Sequence, residues 1–173
     1  MTRIKKISLD EIDKKIISLM QENPSMTHSE IAERVDRSQP TIGGRLKKLL
    51  DSGVLKVQAG INFHAVDIFL AFVYLKTDSP DEIMTMAHCP FIMNIYKSSG
   101  EFNIVLILAS PKMEKLDGLI NTHFRNNPGI QNVKMEIILE TAKETIVPIN
   151  LDLQDELDPG SGECEYCKKF IST

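Results

Sequence analysis

Apolar residues recur at helical spacing up to Leu50 and at strand spacing from Phe69 onward, which separates two kinds of structure along the chain. Ile12, Ile16, Leu19 and Met20 share one face of a helix that Ser8 or Asp10 can cap, and Asn23-Pro24 ends it after about Gln21. Thr27 followed three residues later by Glu30 has capping-box spacing, and Ile31, Ala32 and Val35 give the helix it opens an apolar side. Asp36 and Arg37 make a tight connection. Ser38 can cap a third helix with Pro40 in its first turn, on which Ile42, Leu46, Leu49 and Leu50 would face a small core. Gly53 sits where a helix C-cap belongs, and residues 54–61 read as a strand or wing leading out. Two short helices joined by so brief a turn are what a helix-turn-helix requires.

In the second half, Phe69–Thr77 and residues 91–98, 102–110 and 130–140 are strand-like, the last with Val133, Met135, Ile137 and Leu139 on one face. Ser79-Pro80 opens a short helix reaching about His88, and Ser110-Pro111 caps another that carries Met113, Leu116, Leu119, Ile120 and Phe124. Ser99-Gly100-Glu101 is a turn between two of the strands. The order β-α-β-β-α-β predicts a ferredoxin-like split βαβ. Helices would cover one sheet face only, so the other face is expected to be buried by a second copy. The chain thus reads as α+β: a winged helix-turn-helix domain over 1–60, a βαββαβ sensing and dimerisation domain over 61–150, and an extension over 151–173.

The third helix separates its faces. Ser38 stands at its start, and Gln39, Thr41, Gly44, Arg45 and Lys48 lie largely off the apolar stripe. Amide, hydroxyl and basic groups are the kinds that read base edges and hold phosphates. Arg45 and Lys48 are expected to hold double-stranded DNA, while Gln39 and Thr41 help select sequence. Each of Gly43 and Gly44 costs a helix interior about 1 kcal/mol relative to alanine. Two in succession imply close approach of the backbone to a groove or a neighbouring helix. The plainer alternative is a solvated face on a helical hairpin.

Charge follows the same division. Residues 1–60 hold 11 Lys/Arg against 8 Asp/Glu, and the remainder holds 9 against 16, so the basic half is the half with the helix-turn-helix. A balance of +3 is modest, and tight binding would need several copies acting together. No apolar run is long enough to span a membrane, the first residues lack a signal-type hydrophobic region, and Cys89, Cys164 and Cys167 do not form a secreted disulfide framework. The expected location is the cytoplasm.

The stretch LDEIDKKIISLMQENPSMTHSEIAERVDRSQPTIGGRLKKLLDSGVLK, followed by SSGEFNIVLIL, resembles the Lrp/AsnC family, the feast/famine regulators of bacteria and archaea, over about residues 8–147. The resemblance implies a DNA-binding dimer that often assembles into tetramers or octamers and senses an amino acid at contacts between dimers. It places the effector at Ser98, Gly100, Glu101, Phe102 and Asn103, where the amides of a glycine-centred turn could receive a carboxylate. In the family an aspartate is common at the position of Asn103. An ordinary hairpin turn is the alternative. Siroheme decarboxylases are similar in fold, but porphyrin chemistry would not need the hydroxyl- and base-bearing helix at Gln39–Lys48, so a regulator is expected and an enzyme is not.

The extension holds six acidic residues and two lysines, a linker over 158–162, and then Cys164-Glu165-Tyr166-Cys167. Two cysteines at this spacing can grip one side of a zinc or another metal, or close into a redox disulfide. One chain offers half of a tetrahedral site, which the tail of a second copy or a histidine could complete, and an inert acidic tail is the alternative. His88-Cys89 reads as packing or a loop thiol. His28, His64 and His123 have no evident acid partner, and Met84, Met86 and Met93 read as core or interface.

Overall fold

The structure, a computed structural model, describes residues 7–161, and the chain divides between Gln58 and Ala59 into two compact units. In the first, α1 (Glu11–Glu22), α2 (His28–Val35) and α3 (Gln39–Asp51) surround a core in which Ile16, Ile31 and Ile42 are fully buried. Reciprocal capping boxes start α1 and α2. The Asp10 carboxylate accepts from the Asp13 N–H at 2.8 Å, and Thr27 Oγ1 accepts from the Glu30 N–H at 3.3 Å. Asp36, in the left-handed region at φ 54, turns the chain from α2 into α3. Aspartate visits that region more readily than most residues.

Three expectations change here. Leu50 is 41 % exposed, because Ile42, Leu46 and Leu49 already fill the buried stripe and the next residue lies about 100° around the helix. Ser38 holds the N-cap position, but its hydroxyl lies 2.8 Å from Thr41 Oγ1 and caps no backbone amide. Residues 54–60 form no strand. After Gly53, at φ +70, the Leu55 N–H bonds the Leu49 carbonyl at 3.0 Å and its side chain closes the core, so the end of α3 supplies the partners a strand would have needed.

The second unit runs β1 (Ile61–Asn62), β2 (Phe69–Thr77), α4 (Pro80–Thr85), β3 (Ile92–Lys97), β4 (Ile104–Ser110), α5 (Met113–Ile120), β5 (Ile130–Ile137), β6 (Ile146–Val147) and α6 (Leu151–Glu156). A 3-10 turn follows α4, and a π turn, Asn121–Arg125, prolongs α5. The main sheet has the order β3-β4-β2-β5 with every pair antiparallel, the ferredoxin-like topology. Alternation along β2 sends Ala71, Val73 and Leu75 into the core beneath Leu116, Leu119, Ile120 and Phe124. Phe72 and Tyr74 point to the other face, which stays half exposed. A small β1–β6 ladder and Val147 cover one end of that face.

The last long strand is shorter than its pattern. It ends at Ile137, the Ile138 N–H bonds the Leu70 carbonyl at 2.8 Å, and Leu139 is left 91 % exposed. Neither Ser79 nor Ser110 caps its helix as expected; Ser79 makes no side-chain cap bond, and Ser110 Oγ accepts from the N–H of Lys112, the N-cap residue of α5.

The extension differs most. Residues 150–161 dock against α5 rather than hang as a linker. Asn150 caps α6 by accepting from the Leu153 N–H at 3.1 Å, and Gln154, 1 % exposed, donates to the carbonyls of Pro90 and Ala109 at 2.8 and 3.0 Å. Lys115 donates to the carbonyls of Gln154 and Asp155. Thr122 Oγ1 donates to the Gly160 carbonyl at 2.9 Å, and Gly118 faces Gly160 so closely that a Cβ on it would meet Gly160 Cα at 3.1 Å. Cys164 and Cys167 lie outside the described residues.

Candidate DNA-binding surface and effector turn

Placing Ile42, Leu46 and Leu49 inward turns the opposite face of α3 to solvent. Ser38, Gln39, Thr41, Gly44 and Lys48 are all exposed there, as the helical pattern predicted. The two glycines divide the expected close approaches between them. A Cβ on Gly43 would stand 3.4 Å from the His28 ring at the start of α2, while nothing among the described residues lies within 4 Å of one on Gly44. The Gly44 backbone is therefore open to whatever approaches the helix.

Arg45 is placed differently from its expectation. Its Nη1 donates to Asp10 Oδ2 at 2.6 Å and to Asp13 Oδ1 at 2.7 Å, so the guanidinium is drawn toward the start of α1. The Asp13 N–H and then the Arg45 guanidinium hold the Asp10 carboxyl below the usual carboxylate range, and the two carboxylates raise Arg45 in turn. Ser8, Asp10, Asp13, Thr41, Arg45 and Lys48 line a cleft of about 480 Å³ on this surface. Nothing local marks Asp13 as a buried acid; its partner lies 32 residues along the chain.

The glycine-centred turn joins β3 to β4 at one end of the sheet. The Ser98 N–H bonds the Asn103 carbonyl at 2.9 Å, and Ser98, Gly100 and Glu101 are exposed. Gly100 does not take a positive φ, and a Cβ there would meet ordinary contacts at 3.7 and 3.9 Å, so the turn does not demand glycine for its backbone shape. Asn103 is committed to the sheet end. Its Oδ1 accepts from the Thr77 N–H at 3.0 Å and its Nδ2 donates to the Thr77 carbonyl at 2.7 Å, a pairing that an aspartate, lacking the N–H, could make only in half. Phe102 packs against the Tyr74 ring with centroids 6.0 Å apart. Beside it on the uncovered face, a Lys134–Glu136 ion pair of 2.6 Å lowers the Glu136 carboxyl, and burial raises Tyr74. A second cleft, of about 390 Å³, opens on the same face between Leu70, Phe72, Tyr96, Ile107, Ile138 and Ile146.

Among the described residues no group of three or more His, Cys, Asp or Glu could hold a metal ion. Cys89 and Met86 are buried in the core, Met84 is partly exposed, and His64 Nε2 lies 2.6 Å from Thr141 Oγ1. His123 is the residue whose placement the sequence concealed. It is 1 % exposed beneath Pro159, with Nε2 3.0 Å from the Pro159 carbonyl and Nδ1 without a partner among the described residues, and burial pushes its imidazole below the ordinary histidine value. No helix among the described residues is long and apolar enough to cross a membrane.

Known proteins agree with this division. Residues 9–56 match the family described as winged helix-turn-helix DNA-binding, and residues 70–148 match the Lrp/AsnC ligand binding domain. The HTH-type transcriptional regulator FL11 of Pyrococcus abyssi is 30 % identical over 81 % of this chain and 95 % of its own length. LrpA of Bacillus subtilis is 29 % identical over 65 % of this chain and 88 % of its own. A Neisseria meningitidis regulator, NMB0573, solved with L-Met, superposes with a TM-score of 0.70 at 23 % identity, covering 87 % of this chain and 100 % of that one. These names are regulators, which favours regulation over porphyrin chemistry. A winged helix-turn-helix DNA-binding unit and a ferredoxin-like ligand-binding unit, matched together along one chain, place it in the Lrp/AsnC family of DNA-binding transcriptional regulators.

Proposed function

We propose that the chain works as a homodimer in the cytoplasm, reads an operator with the exposed face of α3, and adjusts its binding to an amino acid held near the Ser98–Asn103 turn. The observation that carries this is the clear face of α3. Gln39 and Thr41 present groups that can bond base edges, Lys48 reaches phosphate, and Ser38 and Gly44 let the backbone come near. Replacing Gln39, Thr41 and Lys48 together by alanine should abolish selective binding in a gel-shift assay against the chain's own genomic fragments. Retained selectivity would remove the assignment.

The amino-acid effector is supported by the exposed amides of the turn and by the L-Met held by the Neisseria regulator. Ser98, Gly100, Glu101 and Phe102 would contact it, while Asn103, whose side-chain amide pairs with Thr77 at both ends, would hold the turn in place. Gly100→Asp sets an anion where the ligand carboxylate would sit. Calorimetry against the common amino acids should find one that binds the native chain and not this variant; equal binding would move the site elsewhere. The half-exposed sheet face, with Phe72 and Tyr74 half-buried and Tyr96 47 % exposed, supports pairing of two copies, and tetramers or octamers would follow from contacts between pairs. Cys164 and Cys167 are proposed as ligands for zinc or another metal, with the chain before them fixed at Gly160 on α5. Metal analysis and thiol counting on untagged protein test this, and two freely titrating thiols without metal would exclude it.

A further inference from the structure

We infer that Arg45 is a positioning residue: it ties the DNA-facing helix to the start of α1 through Asp10 and Asp13 and leaves the phosphate contacts to Lys48 and its neighbours. The inference rests on the reading of α3 as the DNA-facing helix. One nitrogen, Nη1, donates to both carboxylates at 2.6 and 2.7 Å, across 35 and 32 residues of sequence. Those carboxylates already form the capping box of α1, so a single network fixes where α1 begins and how α3 is rotated against it. Asp13 is 7 % exposed, and a carboxylate that buried needs a cation close by. Arg45 is that cation, which ties its side chain to a structural task whether or not DNA is present.

The charge balance points the same way. Two carboxylates against one guanidinium leave the cluster net negative, so an approaching phosphate meets no excess positive charge at Arg45. Lys48 lies one turn further along the same face, exposed, with no ion pair among the described residues. Affinity for the DNA backbone comes from cations that displace condensed counterions, and its fingerprint is the salt slope. A helix arginine on the outer face would ordinarily be counted among those cations. Here the geometry separates the two roles.

The test measures binding of the full chain to a fluorescent 40-base-pair duplex of mixed sequence across a salt series. Lys48→Gln should reduce the slope of log K against log salt by about 0.9 per bound chain. Arg45→Gln should leave the slope at its native value while lowering the melting temperature. Arg45→Gln/Asp13→Asn, which removes the stranded acid, should melt above Arg45→Gln alone and keep the native slope; it also stands in should Arg45→Gln fail to fold. A slope reduced by Arg45→Gln, or by the double variant, as much as by Lys48→Gln would overturn the inference alone. Equal melting of the single and double variants would also overturn it. Native protein that binds no duplex at any salt would overturn both this inference and the reading of α3.

Discussion

Replacing Gln154 by alanine should destabilise the ligand-binding unit far more than any other single truncation in α6. The side chain is 1 % exposed and its amide donates to the carbonyls of Pro90 and Ala109, 64 and 45 residues earlier. Each buried bond contributes about 0.5–1.5 kcal/mol net, so two give about 1–3 kcal/mol. Two corrections oppose each other. Truncation strips donors from buried carbonyls, which adds to the loss, but it also removes Oε1, which is buried without a partner among the described residues and already costs about 1–3 kcal/mol. The net expectation stays at about 1–3 kcal/mol, or about 4–12 °C in melting temperature for a unit of this size. The neighbouring Lys112–Asp155 ion pair, at 2.9 Å with both side chains more than half exposed, is the control, and Asp155→Ala should leave the melt nearly unchanged because solvent screens the pair. Differential scanning calorimetry of the full chain at fixed protein concentration measures both, since self-association would otherwise shift the melt. Equal melting of Gln154→Ala and native protein would refute the view of residues 150–161 as a docked strap.

Other expectations follow from the same geometry. Gly118→Val should cost about 1–3 kcal/mol by overpacking, because its Cβ would press on the Gly160 backbone, and protease should then cut near residues 157–161 faster than in native protein; an unchanged cleavage rate would count against the contact. Tyr96→Asp should convert a dimer into monomers in light scattering, and a dimer that persists would show that another face is used. Because burial depresses His123, its neutral form contributes stability that is complete above the ordinary histidine value of about 6.5 and is lost as pH falls through that value toward the lower folded one. Melts between pH 7.5 and 5 should therefore fall more steeply for native protein than for His123→Gln, and parallel curves would contradict this.

What the sequence made legible was local. Capping spacing at Thr27 and Glu30, the stripe of Ile42, Leu46 and Leu49, and the β-rich apolar run Phe69–Thr77 each appear as read, because each depends on residues a few positions apart. Leu50 and Leu139 show where periodicity overreaches, since it marks a side chain as apolar without saying whether the core has room or the strand has already turned away. Arg45 and Asn103 lay on the expected surfaces, but partners 26 to 35 residues distant decide what they do. The strap was hidden for a related reason. In LDLQDE the buried residue is the glutamine and not a leucine, and the carbonyls it answers belong to the end of β4 and the loop before β3, 45 and 64 residues earlier.

The most direct measurement is to mix purified chain with sheared genomic DNA, recover the retained fragments and sequence them. Native protein should enrich a limited set of discrete segments that share a sequence pattern. The Gln39→Ala/Thr41→Ala/Lys48→Ala variant, with its helices intact by circular dichroism, should enrich none. If the variant recovers the same segments as native protein, the exposed face of α3 is not what reads DNA and the account fails at its centre.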